Sequence, residues 1–580
     1  MRRKTIVYGI LFLLIVGFLV LWLAESYSGS RTRVFLIGVD GASWDIVRKL
    51  ASENKIPNLR KLMERGASGY LDSINWRKKV DKGYGLFSPI IWSSIATGKL
   101  PSKHGVEDFR LPIPGVANFQ MGYDRNQGPV PSTLAFPFLK NDRMTVVLTA
   151  RLPQGLQKSR VEAFFNSRAI GEAKLEKNFK AFSFDIEPEF MNWKGNQLMF
   201  RYNDSFLIDD HYIGADVESI RVYSTTGNEL FDYCIVRDPK IFGSGWVYTR
   251  PTQITLASSF HLRTRTLWEI LSGLNRKVGV VGWWASWPAY KVNGYLVTSH
   301  VGLQGERLKL PEGQDFLSVV PDLTYPPKLL DEIRKIYYPK EQVIPDFEKR
   351  FFKLRQCGCV GINQERIALT FFWQDKFFSD ISTYLLKKKS DMDLFTVYFR
   401  GTDTMSHQFL GYSQGNDLVQ SECGKSKFPN CEVERLHNII ANYYAFLDAE
   451  IGKILQEADR HTYIFIVTDH GEFALGRKGM HKNNGFMIAA GPGIRKHNFQ
   501  KASVLDVAPT ILYVMGFPVA QDMDGNVLTE AFDRNLMLER PIVYVDSYDK
   551  IIPAHTREII VDKKIDEEQT EELKSLGYIN

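Results

Sequence analysis

The stretch YIFIVTDHGEFALGRKGMHKNNGFMIAAGPGI, residues 463–494, joins a strand pattern to polar residues of one chemical kind. Its first six residues are apolar or β-branched, which is typical of a strand buried on both faces. Asp469 and His470 follow this strand directly, and His481 comes after a glycine-containing loop. Carboxylates and imidazoles are ligands that zinc accepts, so a metal site at the end of this strand is expected. The rest of the chain should then supply further ligands.

Other apolar runs predict a sheet around this strand. Helical patterns at 46–66 and 432–458 lie between several of the runs. Strands that alternate with helices predict an α/β fold with a largely parallel central sheet flanked by helices. The predicted strands are 34–40 (VFLIGVD), 278–284 (VGVVGWW), 394–399 (LFTVYF), 463–468 (YIFIVT) and 486–490 (FMIAA).

The segment 128–250 breaks this pattern. It contains short alternating stretches separated by polar or glycine-containing turns, which predicts an inserted all-β sandwich. The expected organisation is therefore a cytoplasmic tip and transmembrane anchor (1–30), an α/β domain in two parts (31–127 and 251–560), the β insert (128–250) and a helical tail (561–580).

Composition indicates a folded protein. Of the 580 residues, 44% are hydrophobic and 24% are charged, which argues against a disordered chain. A net charge of +7 is small for this length, so a solvated mixed surface is expected and binding to duplex nucleic acid is not. Among the five cysteines, Cys423 and Cys431 flank a loop that a disulfide could close, but the sequence leaves their pairing open.

The N-terminal segment predicts membrane attachment. Arg2, Arg3 and Lys4 precede the uncharged run TIVYGILFLLIVGFLVLWLA, residues 5–24. About 20 apolar residues are enough to cross a ~30 Å hydrocarbon core. A cleaved secretory signal is the alternative, but no A-x-A-like cleavage site follows the run. The basic cluster predicts a single-pass cell-membrane protein whose α/β domain is extracytoplasmic.

Two more predicted strands are followed by residues that can bind metals. Asp40 comes directly after VFLIGV, and Asp403 and His407 come shortly after LFTVYF. Because functional groups gather at the carboxyl ends of strands in open α/β sheets, these side chains are expected near the polar groups of the opening stretch. Six such groups are enough for two metal sites. Each piece also has an ordinary alternative: a local turn, a helix cap or a helix-surface pair.

The stretch FSPIIWSSIATGKLPSKHGVEDF, residues 87–109, offers a candidate nucleophile. Ser88 followed by Pro89 predicts a helix start, and Gly98 predicts its end. A phosphate at such a start would meet free backbone N–H groups and the positive end of the helix dipole. Ser88 is therefore a candidate to attack phosphorus, and the alternative is that it only caps the helix.

Taken in order, these motifs resemble a known family. GVDGASWD, SPIIWSSIATGKLPSKHGVEDF, GTDTMSH, VTDHGEF, GMH and DVAPTILYVMGFPVAQDMDG are similar to the type I phosphodiesterase/nucleotide pyrophosphatase branch of the alkaline phosphatase superfamily, over about 31–125 and 255–535. The resemblance implies an alkaline-phosphatase-like fold, two divalent ions (Zn²⁺, with Mn²⁺ as the alternative) and a covalent phosphoserine intermediate. It assigns Asp40, Asp469 and His470 to one ion, Asp403, His407 and His481 to the other, and Ser88 as the nucleophile that bridges both.

The chain also departs from that family. Nucleotide pyrophosphatases carry an Asn three residues after the nucleophile, where this chain has Ile91, so nucleotide substrates are in doubt. The Arg of the sulfatase signature is absent from SPIIW, which disfavours sulfate esters. The substrate-binding residues are unknown, with His104 and Trp284 as candidates.

A phosphodiesterase or phosphatase acting on a phosphoester is therefore expected. Two rival functions stay open: transfer of a phospho-group to a lipid or glycan, and an inert ectodomain that binds carbohydrate through the β insert. For the second, Trp193 and Phe200 are candidates to stack on sugars, and packing in the core of the insert is the alternative.

Overall fold

The structure is a computed structural model whose described residues form two compact units. One unit comprises the described residues up to Phe109 and from Leu256 onward, and the other is Arg110–Thr255. The described residues are 32–74, 86–112, 119–123, 132–136, 143–153, 155–191, 196–204, 206–208, 211–227, 229–232, 254–302, 316–354, 360–413, 436–475 and 478–553.

The first unit is built on a nine-stranded sheet with the order β5-β4-β3-β6-β1-β7-β8-β2-β9. The pairs β1–β6, β1–β7, β3–β6, β3–β4 and β2–β9 are parallel, and the other three pairs are antiparallel. In chain order the strands are β1 Arg33–Val39, β2 Ala67–Asp72, β3 Val278–Val281, β4 Gly294–Val297, β5 Thr324–Tyr325, β6 Leu394–Phe399, β7 Thr462–Val467, β8 Asn484–Ala490 and β9 His497–Ser503.

Both faces of this sheet are buried. In β1, Phe35 and Ile37 belong to the core on one face, and Val34 and Leu36 belong to the core on the other. Continuous apolar strands are expected where helices cover both faces of a parallel sheet. The helices of the unit are α1 Trp44–Ser52, α2 Pro57–Arg65, α3 Ser88–Thr97, α4 Pro101–His104, α5 Leu267–Gly273, α6 Phe316–Val319, α7 Leu329–Arg334, α8 Ile344–Arg350, α9 Ile362–Lys388, α10 Gly401–Ser413, α11 Ile439–Leu455, α12 Val507–Val514, α13 Arg534–Glu539 and α14 Tyr548–Ile551.

The prediction of an α/β fold with a largely parallel central sheet is confirmed, and the three antiparallel pairs make that sheet mixed. One predicted helix is wrong in detail, because 46–66 forms the two helices α1 and α2. Asn54 between them has a φ of 57°, a left-handed conformation that ends a helix, and Pro57 begins α2.

The second unit is all-β. Its strands form a four-stranded and a six-stranded antiparallel sheet, and buried side chains from both sheets, such as Val146 and Phe200, share one core. The sequence placed the insert at 128–250, within Arg110–Thr255. The strands of the two sheets are Phe119–Tyr123, Ser132–Phe136, Met144–Arg151, Arg160–Phe165, Arg168–Lys174, Lys180–Ile186, Asn196–Tyr202, Phe206–Ile208, His211–Ser224 and Glu229–Asp232.

Several sequence predictions fall outside the described residues. They are the membrane anchor at 5–24, the tail at 561–580, Trp193 and all five cysteines. Within the part of the chain that the structure describes, no helix has the length and hydropathy needed to cross a bilayer.

Candidate two-metal active site

The first half of the candidate site lies where β1 and β7 end side by side. These strands are parallel neighbours, so Asp40 after β1 and Asp469 after β7 reach the same edge of the sheet. The backbone N–H of Gly41 donates to Asp469 Oδ1 at 3.1 Å. His470 Nε2 lies 3.6 Å from Asp40 Oδ1 and 3.4 Å from Asp469 Oδ2. One carboxylate–imidazole trio therefore converges at this point.

The second half comes from the other neighbour of β1. Strand β6 pairs with β1 in parallel and leads into α10, which carries Asp403 and His407 one turn apart. His407 Nε2 lies 3.3 Å and His481 Nε2 lies 3.4 Å from Asp403 Oδ1. The two trios approach closely, because His470 Nε2 is only 3.8 Å from the same oxygen.

Gly41 makes this close approach between the two halves sterically feasible. Its φ is +61°, and a Cβ at this position would lie 2.6 Å from Cβ of Asp403. Any other residue after Asp40 would therefore have to displace α10, and left-handed backbone also disfavours a side chain there. The Asp-Gly pair at the end of β1 thus fixes the separation of Asp40 and Asp403.

All three imidazoles are held by backbone carbonyls through Nδ1. A carbonyl oxygen only accepts, so Nδ1 carries the proton in each ring and Nε2 presents a lone pair to the site. This is the tautomer that a metal ligand needs, and such second hydrogen bonds orient ligating histidines. The pairs are His407 with Gly479 (2.9 Å), His470 with Gly471 (3.2 Å) and His481 with Leu86 (2.8 Å).

Several of the candidate ligand atoms are buried without a hydrogen-bond partner among the described residues. They include both oxygens of Asp403, Oδ2 of Asp469 and Nε2 of His470. Burying such atoms is costly unless a cation satisfies them. His407 Nε2 and His481 Nε2 are also only 2.8 Å apart, which is favourable only with a proton or metal ion between two lone pairs. The residues therefore fit bound cations.

Two groups of side chains offer ligand atoms within 4.8 Å of one another. His470 belongs to both groups, and Glu472 joins the second. The groups are Asp40, Asp469 and His470, and Asp403, His470, Glu472 and His481.

Ser88 is the first residue of α3 and points at the first half of the site. Its Oγ donates to Asp40 Oδ1 at 3.3 Å. Phe87, and not Ser88, is the N-cap residue, because its carbonyl accepts from the N–H groups of Ile90 and Ile91 at 3.0 and 3.2 Å. The predicted cap position is thus one residue too late, and the Ser88 hydroxyl faces a carboxylate of the site.

Burial dominates the electrostatics of the carboxylates. Burial, together with Asp469 and Asp403, raises the pKa of Asp40 well above its usual value. Burial also raises the pKa of Asp469 to about 6. For Asp403 burial acts in the same direction, but His407 and His481 outweigh it and hold the pKa well below the usual range. The crowding and burial of Asp40 and Asp469 thus disfavour their ionised forms, which bound cations would stabilise.

The site shifts the pKa values of its three histidines in different directions. Burial lowers the pKa of His470 and of His481 to about 4. Burial also acts to lower the pKa of His407, but Asp403 and the carbonyl of Gly479 outweigh it and raise that pKa. His470 and His481 are therefore neutral at ordinary pH, as metal ligands must be.

Neither weak substrate candidate lies free in the site. His104 is fully buried, with Nε2 2.8 Å from Ser94 Oγ and Nδ1 accepting from the N–H of Val106 at 3.1 Å. The indole N–H of Trp284 donates to the hydroxyl of Tyr398 at 2.7 Å. Both side chains are thus engaged in internal hydrogen bonds. Phe200, a sugar-stacking candidate, is fully buried in the core of the β unit.

Two residues near the candidate ligands were missed in the sequence. The Tyr398 hydroxyl donates a hydrogen bond to Asp40 Oδ2, and Glu472 points into the second ligand group. Tyr398 lies within an apolar strand, so the neighbouring residues give no sign that its hydroxyl takes part in a polar site. Strand alternation with the apolar Phe473 predicts Glu472 on the solvent side, whereas Phe473 is exposed and Glu472 is buried, so the local pattern gave no signal for Glu472 either.

Comparisons with known proteins show the family of the chain. The sequence pattern of the family "Type I phosphodiesterase / nucleotide pyrophosphatase" matches residues 34–150 and 221–484. No curated protein matches the chain. Human ectonucleotide pyrophosphatase/phosphodiesterase 5 is similar at 9% identity over 86% of this chain and 98% of its own, with a TM-score of 0.34.

Wild-type alkaline phosphatase PafA is similar at 9% identity over 87% of this chain and 100% of its own, with a TM-score of 0.41. A putative sulfatase from Bacteroides thetaiotaomicron VPI-5482 is similar at 10% identity over 90% of this chain and 76% of its own, with a TM-score of 0.35. Because the family pattern covers more than half of the chain, the protein belongs to the type I phosphodiesterase/nucleotide pyrophosphatase family of metal-dependent phosphoric ester hydrolases.

Proposed function

We propose that the protein is a phosphodiesterase or phosphatase that uses Ser88 as its nucleophile and two divalent ions, Zn²⁺ with Mn²⁺ as the alternative. Asp40, Asp469 and His470 would hold one ion. Asp403, His407 and His481 would hold the other. The observation that supports this most is the buried Asp403 carboxylate, which has no hydrogen-bond partner among the described residues and lies within 3.4 Å of two imidazole nitrogens.

Ser88 would attack phosphorus and displace the alcohol of the ester. A bond forms between Ser88 Oγ and phosphorus, the bond from phosphorus to the leaving oxygen breaks, and water then releases phosphate or a monoester from Ser88. Asp40 Oδ1, which accepts the hydrogen bond of Ser88 at 3.3 Å, fixes the direction of the hydroxyl. When bound, the ions would lower the pKa of the attacking hydroxyl and neutralise charge on the leaving oxygen.

We further propose that residues 5–24 anchor the protein in the cell membrane with the catalytic unit on the extracytoplasmic side. The support is the length of the uncharged run and the basic cluster at residues 2–4. A substrate in the membrane or in the extracytoplasmic space is compatible with this location. Ile91, in place of the expected Asn, is fully buried on α3 and supplies no side-chain donor to a phosphate, so a substrate other than a nucleotide is proposed.

The replacement Ser88→Ala tests the nucleophile. Phosphodiester, phosphomonoester and sulfate ester substrates would be assayed with the wild type and the variant, together with elemental analysis for metals. We expect turnover of the preferred phosphoester to fall by at least a thousandfold while the metal content stays near wild type, because the alanine removes only the attacking oxygen.

Ser93→Ala is the matched control, because Ser93 lies on the same helix, is equally buried, and its hydroxyl has no hydrogen-bond partner among the described residues. It should keep wild-type turnover. Ser88→Ala retaining most of its activity would show that another group attacks. Product formation that requires an added alcohol acceptor would contradict hydrolysis and indicate transfer.

A further inference from the structure

Glu472 lies on a short hairpin that closes over the second half of the site. The hairpin pairs Gly471–Leu475 with Lys478–Lys482, and its register places Glu472 directly opposite His481. Phe473 and Leu475 are exposed, at 40% and 63%, whereas the Glu472 side chain is only 1% exposed. The alternation of the strand therefore turns the Glu472 carboxylate inward, beside the His481 imidazole.

This carboxylate has no hydrogen-bond partner among the described residues. Both Oε1 and Oε2 are buried without one. Oε1 lies 4.0 Å from His407 Nε2, and a Glu472 oxygen lies within 4.8 Å of ligand atoms on Asp403, His470 and His481. An ionised carboxylate that is buried without a partner is strongly unfavourable unless a proton or a cation neutralises it. Two such carboxylates, Asp403 and Glu472, thus point into one small volume.

Charge balance gives these two carboxylates a common partner. The trio of Asp40, Asp469 and His470 contributes two carboxylates to its ion, but the trio around Asp403 contributes only one. With Glu472 included, four buried carboxylates would face two divalent ions, so the formal charges of ligands and ions cancel.

We propose that Glu472 is a further ligand of the ion held by Asp403, His407 and His481. The proposal rests on the two-metal site of the proposed function. It gives that ion two oxygen and two nitrogen side-chain donors, a more oxygen-rich set than one carboxylate and two imidazoles. Oxygen donors suit harder ions, so Glu472 should shift the preference of this site toward Mn²⁺ relative to Zn²⁺.

Gly479 gives the carboxylate room to reach this position. A Cβ at Gly479 would lie 2.2 Å from Glu472 Oε2. The glycine also supplies the carbonyl that holds His407 Nδ1. One residue of the hairpin thus accommodates Glu472 and orients the imidazole beside it.

Metal binding by Glu472→Gln tests this ligand role without relying on turnover. The protein would be stripped with a chelator and titrated separately with Zn²⁺ and Mn²⁺ in competition with a chelating indicator, and bound metal would be counted by elemental analysis. We expect wild type to bind two ions. Glu472→Gln should keep one of them at wild-type affinity and bind the other at least tenfold more weakly, with the larger loss for Mn²⁺.

Glu450→Gln is the matched control, because Glu450 is also buried but already pairs with Lys453 at 2.7 Å. It should bind both ions as wild type does. Glu472→Asp, which keeps the charge on a shorter side chain, should fall between wild type and Glu472→Gln, and it replaces the Gln variant if that variant does not fold.

Unchanged affinity and unchanged Mn²⁺/Zn²⁺ preference in Glu472→Gln would overturn the proposal. If the wild type bound two ions but hydrolysed no phosphoester, the proposed function would be refuted. The titration of Glu472→Gln would still decide whether Glu472 is a ligand. Wild type that binds no second ion would refute both.

Discussion

A hydrogen-bonded chain of two aromatic side chains orients the carboxylate of Asp40, which lies next to Ser88. The hydroxyl of Tyr398 donates to Asp40 Oδ2, and the indole of Trp284 donates to Tyr398 at 2.7 Å. The other oxygen of Asp40 accepts the hydrogen bond of Ser88 at 3.3 Å. Since Tyr398 is buried, water does not compete for these bonds, and Asp40 is held in one orientation.

We predict that Tyr398→Phe impairs the site without unfolding the protein. The phenyl ring can keep the packing of Tyr398 against Trp92, whose ring centroid is 4.9 Å away, but Asp40 loses a donor. Loss of such an outer-shell partner costs about 10- to 100-fold in metal affinity or activity. Competition titrations for metal and steady-state kinetics measure both quantities.

Tyr384→Phe serves as the control for this prediction. The hydroxyl of Tyr384 donates to Glu332 at 2.9 Å, away from the candidate site. This variant should match wild type in metal affinity and turnover. If Tyr398→Phe also matched wild type in both, the hydrogen bond to Asp40 would have no role in the site.

The difference between the residues found and missed in the sequence has a physical basis. Asp40, Asp403 and Asp469 follow apolar strands, and a polar residue at that position is visible in a linear pattern. Tyr398 acts from inside a strand, and only the register that pairs it with Gly38 brings its hydroxyl to Asp40. Because register between distant strands is a tertiary property, no local pattern reveals this contact.

At the scale of elements, a buried aspartate on α9 fixes the start of α10. Asp375 accepts hydrogen bonds from the N–H groups of Arg400 and Gly401, both at 3.0 Å, and from the hydroxyl of Tyr443 at 2.9 Å. The first amides of a helix have no partner within it, so this carboxylate satisfies them. Asp375 thereby anchors the helix that carries Asp403 and His407.

Asp375 should also make stability depend on pH. Burial outweighs its three hydrogen bonds and raises its pKa from 3.8 to about 7. The native protein therefore holds this proton more tightly than the unfolded chain. The resulting stabilisation is complete below about pH 4 and is lost as the pH rises through about 7, at up to about 1.4 kcal/mol per pH unit.

Comparison with Asp375→Asn isolates this effect. We predict that the stability of the wild type relative to the variant decreases as the pH rises from about 4 to about 7. Thermal unfolding of both proteins in the presence of a chelator, over this pH range, measures the difference. Asp393→Asn, which changes another buried aspartate that accepts from a backbone N–H, controls for the exchange itself. If the difference in stability between wild type and Asp375→Asn did not change with pH, the raised pKa of Asp375 would be contradicted.

The central strands of the sheet were predictable because their apolar runs are continuous. Strands nearer the edge of the sheet were not. The run at 394–399 coincides with β6, and the run at 463–468 is displaced by one residue from β7. Strand β2, ASGYLD, was missed, since small and polar residues give it no apolar run. It forms because it pairs on both sides, with β8 and β9, and those pairings join distant parts of the chain.

At the scale of the whole molecule, the change of pattern within the chain reflects two separate cores. The α/β unit buries apolar side chains on both faces of its sheet, whereas the β unit packs alternate residues of two sheets inward. In Met144–Arg151 buried and half-buried residues alternate along the strand. The alternation of apolar and polar residues therefore indicated the β insert. The first and last residues of the insert could not be predicted, because the segments around them have no periodic pattern.

The proposed anchor gives a prediction about the whole chain. Residues 5–24 carry no charge, and burial of such a run in a bilayer is favourable. We predict that the full chain sediments with membranes, resists extraction by high salt and is released by detergent. A protease added outside intact cells should digest the α/β unit, because in the proposed orientation the basic residues 2–4 stay in the cytoplasm.

Two changes make this test specific to the segment. Replacing Leu13 and Leu14 by Lys should weaken insertion by about 2.5 to 3.5 kcal/mol per residue and shift the protein to the soluble fraction. Replacing Leu536 and Leu538 by Lys changes the same number of leucines in the described catalytic unit and should leave the membrane fraction unchanged in whatever protein still folds. A chain of residues 31–580 that still sediments with membranes after a salt wash would show that attachment does not depend on the segment.

The protease experiment also tests the orientation. If the full-length protein were protected from external protease in intact cells but digested after lysis, the orientation would be the reverse of the proposed one.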